Sequence, residues 1–413
     1  MRSRWGDPKR VFIALGLTSD IAEWVFYLPA LVWWTVELGF SPLQLVGLGT
    51  ALETTVLLAE VPTGVVADRW SRKWSIVAAH VLMGTAMVLA VVTLNYAVML
   101  GAQVVFALGW TFRSGADIAW LTDEISELNE RGELANTQAT FEHATPDVSP
   151  IILQRHRLGL IVGPLALVPV MIFGRASPRV VIAIAGCFLV GSAFGFAATM
   201  SDAFRSRATR TYDDRPRALS ILRTGLTTAR RVRSIRLLVI TMMFLGLGSE
   251  SLDRLGFKHF LDIGEFDENS IVWTGVLFIA LGFAGAAVVW LAERRIEGGI
   301  ALPQLGSRLI VVSAIGAVAV AISPIAGIAI GLLLQDSTRE AFDPVSAAWT
   351  NQHADDASRA TVHSLVSQAH GVGEVVGGLS LAALAQATSI TTAVLIAAAM
   401  WTCASLVSRR AAA

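Results

Sequence analysis

Lysine is nearly absent from this chain of 413 residues: Lys9, Lys73 and Lys258 are the whole set. None follows a glycine, so the Gly-Lys-Ser/Thr phosphate cradle of nucleotide-driven pumps is missing, and any uphill work must draw on a gradient or a partner. Cysteine is scarcer still. Cys187 and Cys403 both fall inside apolar runs and read as packed or lipid-facing thiols rather than a disulfide or a metal pair. Charged residues make up 15% of the chain against 54% apolar, with a mean hydropathy of +0.61. A soluble domain is about a quarter charged, so this composition belongs to a polytopic membrane protein. No metal-ligand cluster, nucleophile elbow or phosphate loop is present, which argues against an enzyme and calls for no cofactor or metal.

What is present is a series of apolar segments, each near the ~20 residues that cross a bilayer core. They run at roughly 11–37, 43–66, 74–95, 97–120, 150–173, 178–200, 235–256, 271–292, 307–323, 325–349, 358–385 and 389–408. The expected fold is an all-α membrane protein of twelve helices. Basic residues precede the first run, but Asp20 and Glu23 interrupt it and no small-residue cleavage site follows. It reads as a retained helix rather than a signal peptide. With a cytoplasmic N-terminus, Arg69, Arg72, Lys73, the arginines of 201–236, Arg294, Arg295, Arg359, Arg409 and Arg410 all fall inside. Only Arg175, Arg179 and Lys258 fall outside, as the positive-inside rule demands. The expected domains are therefore 1–200, a basic linker 201–234 with an amphipathic helix near 218–233 on anionic headgroups, and 235–413.

Between the second and third segments stands Glu60-Val61-Pro62-Thr63-Gly64-Val65-Val66-Ala67-Asp68-Arg69-Trp70-Ser71-Arg72-Lys73. So many charges in so short a stretch read as a tight cytoplasmic hairpin outside the hydrocarbon, with Gly64 permitting close backbone approach. The run resembles the signature loop between helices 2 and 3 of the major facilitator superfamily of secondary transporters. That resemblance implies two six-helix bundles around a central cavity lined by helices 1, 4, 7 and 10. It also implies a cytoplasmic gate built from Gly64, Asp68, Arg69, Arg72 and Lys73. In that gate Asp68 would face the helix start near Ser358 to Thr361, and Arg72 would pair with Asp123.

The two halves also match each other. Leu15-Gly16-Leu17-Thr18-Ser19-Asp20-Ile21-Ala22-Glu23 recurs as Leu245-Gly246-Leu247-Gly248-Ser249-Glu250-Ser251-Leu252-Asp253. Arg113 precedes Asp117, and Arg339 precedes Asp343, by the four residues that stack a pair on one helix face. Ala67-Asp68-Arg69 has a worn copy at Ala292-Glu293-Arg294. Gln154-x-His156-x-x-Gly159-x-x-x-Gly163 is echoed by Gln368-x-His370-x-x-Gly373-x-x-x-Gly377. Six crossings per half make these parallel repeats about an axis along the membrane normal.

Ionisable side chains inside a membrane are costly and functional by default. The candidates for proton coupling or the substrate cavity are Asp20, Glu23, Arg113, Asp117, Glu250, Asp253, Arg254, Arg339, Asp343 and Glu374, with Asp336 and Glu340 beside them. Arg113 with Asp117, and Arg339 with Asp343, read equally well as structural pairs. No basic residue shares the helix turn of Asp20 and Glu23. Glu53 and Glu60 have no counterparts in the eighth segment and read as serving the first half alone. His80, His156, His363 and His370 read more readily as packed than as titrating groups.

Gly159, Gly163 and Pro164 resemble part of the Gly-Pro motif of superfamily antiporters, in which glycines allow close packing and the proline bends the helix. The pattern departs at Ala166 and Leu167. Arg155 and Arg157 are expected to snorkel to the cytoplasmic boundary, and residues 121–149 make a longer connection than their counterpart in the second half. The expected function is proton-coupled export of a small organic, drug-like compound, with a resemblance to bacterial multidrug and antibiotic efflux permeases. Its partners would be a small-molecule substrate, protons and the lipid bilayer of the cell membrane, with no nucleic acid and a monomeric state. A proton-coupled or facilitative importer of a nutrient, and a membrane protein that keeps the fold without transporting, are the alternatives.

Overall fold

A bilayer offers no water to backbone amides, so each apolar run closes its hydrogen bonds within itself as a helix. The computed structural model describes residues 7–130, 148–174, 177–201, 227, 229–266, 269–354 and 359–411, and every long element among them is helical. In order these are α1 (Pro8–Val32, running into a π-helical turn Trp33–Glu37), α2 (Pro42–Arg69), α3 (Arg72–Val91), α4 (Tyr96–Arg113), α5 (Ala116–Glu130), α6 (Ser149–Leu165), α7 (Leu167–Phe173) and α8 (Pro178–Thr199). The second half contains α9 (Arg233–Gly264), α10 (Ser270–Glu297), α11 (Leu302–Ile322), α12 (Ile325–Glu340), α13 (Phe342–His353), α14 (Arg359–Ala387) and α15 (Ile390–Arg410).

Among the described residues, ten spans are long and apolar enough to cross a membrane. The segments expected at 325–349 and 358–385 form helices as well, but they are not among the ten. The first is split at Ala341 into α12 and α13, and the second, α14, carries Arg359, His363, His370 and Glu374 on its length. Most of the expected linker at 201–234, Arg175, and residues 131–147 of the long connection lie outside the described residues.

The charged stretch 60–73 is not the hairpin loop expected from its charge. α2 continues through it to Arg69, and only Trp70 and Ser71 separate it from α3, where Ser71 caps the new helix by accepting from Trp74 N–H. Charges exclude a segment from hydrocarbon but not from a helix that extends beyond it. Gly64 accordingly makes no close approach: among the described residues nothing lies within 4 Å of where its Cβ would stand.

By contacts the chain divides into two compact units, one comprising Met1–Tyr27, Leu58–Leu167 and Arg179–Arg215, the other Leu28–Leu57, Val168–Pro178 and Pro216–Ala413. In the first, Phe12, Leu15, Ala67, Ile76, Trp120, Leu121 and Phe196 form a buried cluster, and Trp120 Nε1 donates to Ser201 O at 3.0 Å. In the second, α9 lies along α14 and α15, and α11 along α12 and α15. Gly373 and Gly377 allow the closest of these contacts. A Cβ on either would collide with the backbone of α9 at Met243 or Leu247, so α14 and α9 touch main chain to main chain, the arrangement small residues permit in membrane bundles.

Candidate functional site

In the first unit the charged face of α1 is met by two arginines from other helices. Arg113, the last residue of α4, places Nη1 at 2.8 Å from Glu23 Oε1 while its guanidinium lies over the Trp110 ring at 4.6 Å. Arg155 of α6 places Nη2 at 2.6 Å from Asp20 Oδ1 and at 3.4 Å from Gly16 O. Arg155 therefore does not snorkel to the boundary. Its pairing with Asp20 is made inside the bundle, and a quarter or less of either side chain is exposed. The glycines make room for this: a Cβ on Gly16 would overlap Arg155, one on Gly159 would meet Asp20 Oδ2, and one on Gly163 would meet the Trp24 indole. α6 runs unbroken through Pro164 to Leu165 and gives way to α7 at Ala166, so the break lies after the proline and not in the turn before it, where a proline disturbs a helix. His156 is exposed. His80 is buried, with Nδ1 at 3.0 Å from Ile76 O and Nε2 at 3.3 Å from Ser19 Oγ, which is a packing role.

Asp117 does not pair with Arg113. α4 ends at Arg113, Gly115 takes a left-handed φ of 76°, and α5 starts afresh at Ala116. The four-residue spacing therefore no longer stacks the two side chains, and Asp117 Oδ1 instead accepts from Ile118 N–H at 2.7 Å. The same happens in the second half. α12 ends at Glu340 and α13 begins at Phe342, which puts Asp343 past the break from Arg339. Arg339 Nη2 instead lies 3.1 Å from Asp253 Oδ2 and 2.9 Å from Asp336 Oδ1.

The second unit thus rebuilds the bridge of the first: Asp253 stands in the repeat where Glu23 stands, and Arg339 where Arg113 stands. The other acids of α1 and α9 differ in their partners. Asp20 takes Arg155 from α6, while Glu250 pairs with Arg254 one turn along its own helix. Glu374 of α14 lies 3.3 Å from His370 Nδ1, and His370 Nε2 lies 3.5 Å from Ser249 Oγ. Beside these groups α9, α12, α13 and α14 enclose a cavity of about 350 Å³, with Arg339, Glu340, Asp343, His363 and His370 as its charged or titratable lining and Phe342 among its apolar walls. Among the described residues no group of three His, Cys, Asp or Glu is disposed to hold a metal ion.

At the α2–α3 junction Arg72 Nη1 reaches Asp123 Oδ2 at 2.5 Å and Ala119 O at 2.8 Å, the partner expected of it. Lys73 is buried and its Nζ lies 5.4 Å from the Trp74 ring centre. The side chains of Asp68 and Arg69, and the expected meeting of Asp68 with the helix start near Ser358, lie outside the described residues.

No family model matches the chain. It is 22% identical over 373 residues, 89% of its own length and 84% of the relative's, to YxaM of Bacillus subtilis (strain 168), an uncharacterised MFS-type transporter. Its fold is similar to that of a mutant of the nucleoside transporter NupG, with a TM-score of 0.79 at 13% identity over 98% of this chain and 100% of that one. It is also similar to a POT family transporter in complex with a thioalcohol-conjugated peptide, with a TM-score of 0.70 at 8% identity over 96% and 94%. The chain is a multi-pass, all-α membrane protein with the major facilitator fold.

Proposed function

We propose that the protein is a secondary transporter exporting a small organic, drug-like compound in exchange for protons, by alternating access between six-helix halves 1–200 and 235–413 joined by the basic linker 201–234. One observation carries this reading: the bridge Glu23–Arg113 recurs as Asp253–Arg339 in the other half. A helical bundle does not need such pairs to fold. Burying two charges costs several kcal/mol per ion before their attraction offsets it, and leaving one partner unpaired costs about 3–5 kcal/mol. A proton on Glu23 or Asp253 would release its arginine and make that arrangement the costlier one, which is how a gradient is tied to a change of shape.

The cavity beside Arg339 has the volume of a small-molecule site. Nucleosides and a conjugated peptide, named for the similar structures, are precedents for polar cargo of that size. Exchange for protons is favoured by Gly159, Gly163 and Pro164, the antiporter-like motif, because Gly159 seats the Asp20 carboxylate and so links an acid to the packing of α6. Arg72 with Asp123, together with Asp68, Arg69, Lys73 and Gly64, forms the cytoplasmic gate in this reading. The protein acts as a monomer in the cell membrane with both termini inside.

Inverted vesicles containing the protein, tested with organic cations, nucleosides and short peptides, provide the test. Accumulation driven by an interior-acid gradient is the expected result. Equilibration that ignores the gradient overturns the coupling. Accumulation only in right-side-out vesicles under an exterior-acid gradient overturns the direction.

A further inference from the structure

Five arginines gather where one end each of α9, α11 and α15 meet. Arg233, the first residue of α9, donates from Nη2 to Arg410 O at 3.1 Å, in the last turn of α15. Arg409 donates from Nε to Ser307 Oγ of α11 at 2.9 Å, and Ser408 Oγ donates to Pro303 O at 2.8 Å. These bonds set the start of α9, the end of α15 and the start of α11 side by side. Arg236 lies one turn beyond Arg233, and Arg308 follows Ser307. All five arginines are exposed.

Counter-charge is what the group lacks. Among the described residues its hydrogen-bond acceptors are Arg410 O, Arg230 O and Ser307 Oγ, two carbonyls and a hydroxyl. Arg308 makes no hydrogen bond there, and none of the five is in an ion pair. The arginines inside the same unit behave otherwise, since Arg254 and Arg339 are each held by acids. Cations set side by side repel one another, and an anion among them removes that cost.

Depth selects the anion. α11 and α15 are both membrane spans of 21 residues. At 1.5 Å per residue each measures about 32 Å, so it reaches from one boundary of the ~30 Å hydrocarbon core to the other. Arg409 and Arg410 therefore stand at headgroup level. Arg308 is the seventh residue of α11, about 9 Å inside its start, where an exposed arginine lays its stem along lipid and turns its head toward the phosphates. A soluble anion meets the outer arginines alone. A lipid phosphate lies at the height to which all five reach, and its oxygens accept the paired bonds that a guanidinium offers.

We propose that these three helix ends bind the phosphate of an anionic phospholipid through Arg233, Arg236, Arg308, Arg409 and Arg410. One headgroup seated there ties α9, α11 and α15 together. Such a site needs neither a substrate nor a proton gradient.

Full-length protein in detergent is titrated with phosphatidylglycerol or phosphatidylcholine, and native mass spectrometry reads the dissociation constant of the first lipid retained. Phosphatidylglycerol should bind the more tightly. Arg308→Gln removes a guanidinium that bonds nothing in the protein, so the fold should survive while phosphatidylglycerol binds about fivefold more weakly. Arg295→Gln, at an exposed arginine in the last turn of α10, should leave its affinity unchanged. Equal affinity for the two lipids, or an equal loss in Arg308→Gln and Arg295→Gln, overturns the proposal, because either would reduce the cluster to diffuse charge. Displacement of the lipid by millimolar inorganic phosphate would assign the arginines to a soluble anion and overturns the lipid as occupant.

Discussion

An arginine 2.8 Å from a glutamate inside a membrane bundle is tolerable only while both keep their charge. Arg113 and Glu23 expose little of their side chains, so neither is well hydrated if its partner disappears. Arg113→Gln is therefore expected to cost about 3–5 kcal/mol, because it leaves a buried carboxylate uncompensated. Glu23→Gln should cost a similar amount. The double replacement should recover most of the loss, since two neutral amides can hydrogen-bond where two charges stood. Thermal unfolding of the four proteins in detergent gives the coupling energy directly. Strictly additive losses would mean that the pair is hydrated and that its Coulomb attraction contributes little.

At the scale of the helix, the interruptions after Arg113 and after Arg339 decide where those arginines point. The first depends on Gly115, whose φ of 76° is one that a Cβ resists. The second is turned at Ala341, whose φ of −68° is ordinary. Gly115→Ala should destabilise the protein by about 1–2 kcal/mol and cut transport, because a straightened α4–α5 would turn Arg113 away from Glu23. Ala341→Gly should cost no more than about 0.5–1 kcal/mol and leave transport near normal. Equal losses at the two positions would show that the left-handed turn is not what orients Arg113. The helices themselves were legible as apolar runs, but these breaks were not. The pairing of Arg113 with Asp117 and of Arg339 with Asp343 follows from an unbroken helix, and a lone glycine or alanine at the turn does not announce that the helix stops. The same limit explains 60–73, where charge shows what must leave the hydrocarbon but not whether it stays helical.

Across the whole molecule the duplication was readable because equivalent acids and arginines stand in the same order, and the structure brings them together as equivalent bridges. What was hidden is where the copies differ. Arg155 finds Asp20 from 135 residues away, and Ala369, its counterpart in the repeat, carries no charge to reveal the pairing. Glu53, without a counterpart, read as private to the first half, yet Gly49, one turn before it on α2, packs against Glu250 and Arg254 of α9. These two residues leave the halves unequal in charge. In the first unit Asp20 and Glu23 are each answered by an arginine, whereas in the second Asp253 and Asp336 share Arg339 and Glu250 takes Arg254 from its own helix. Asp253→Asn leaves Arg339 with Asp336 as its partner, so the cation is not stranded and the protein should fold. In the reading above Asp253 takes the proton in the second half, so the variant should transport without following the proton gradient. Asp20→Asn removes half of a balanced pair, strands Arg155, and should lower the rate at every pH without moving the profile. Transport by both variants, measured across pH with and without a proton gradient, separates the two effects. Asp253→Asn transport that still rises with the gradient would take the coupling proton away from Asp253.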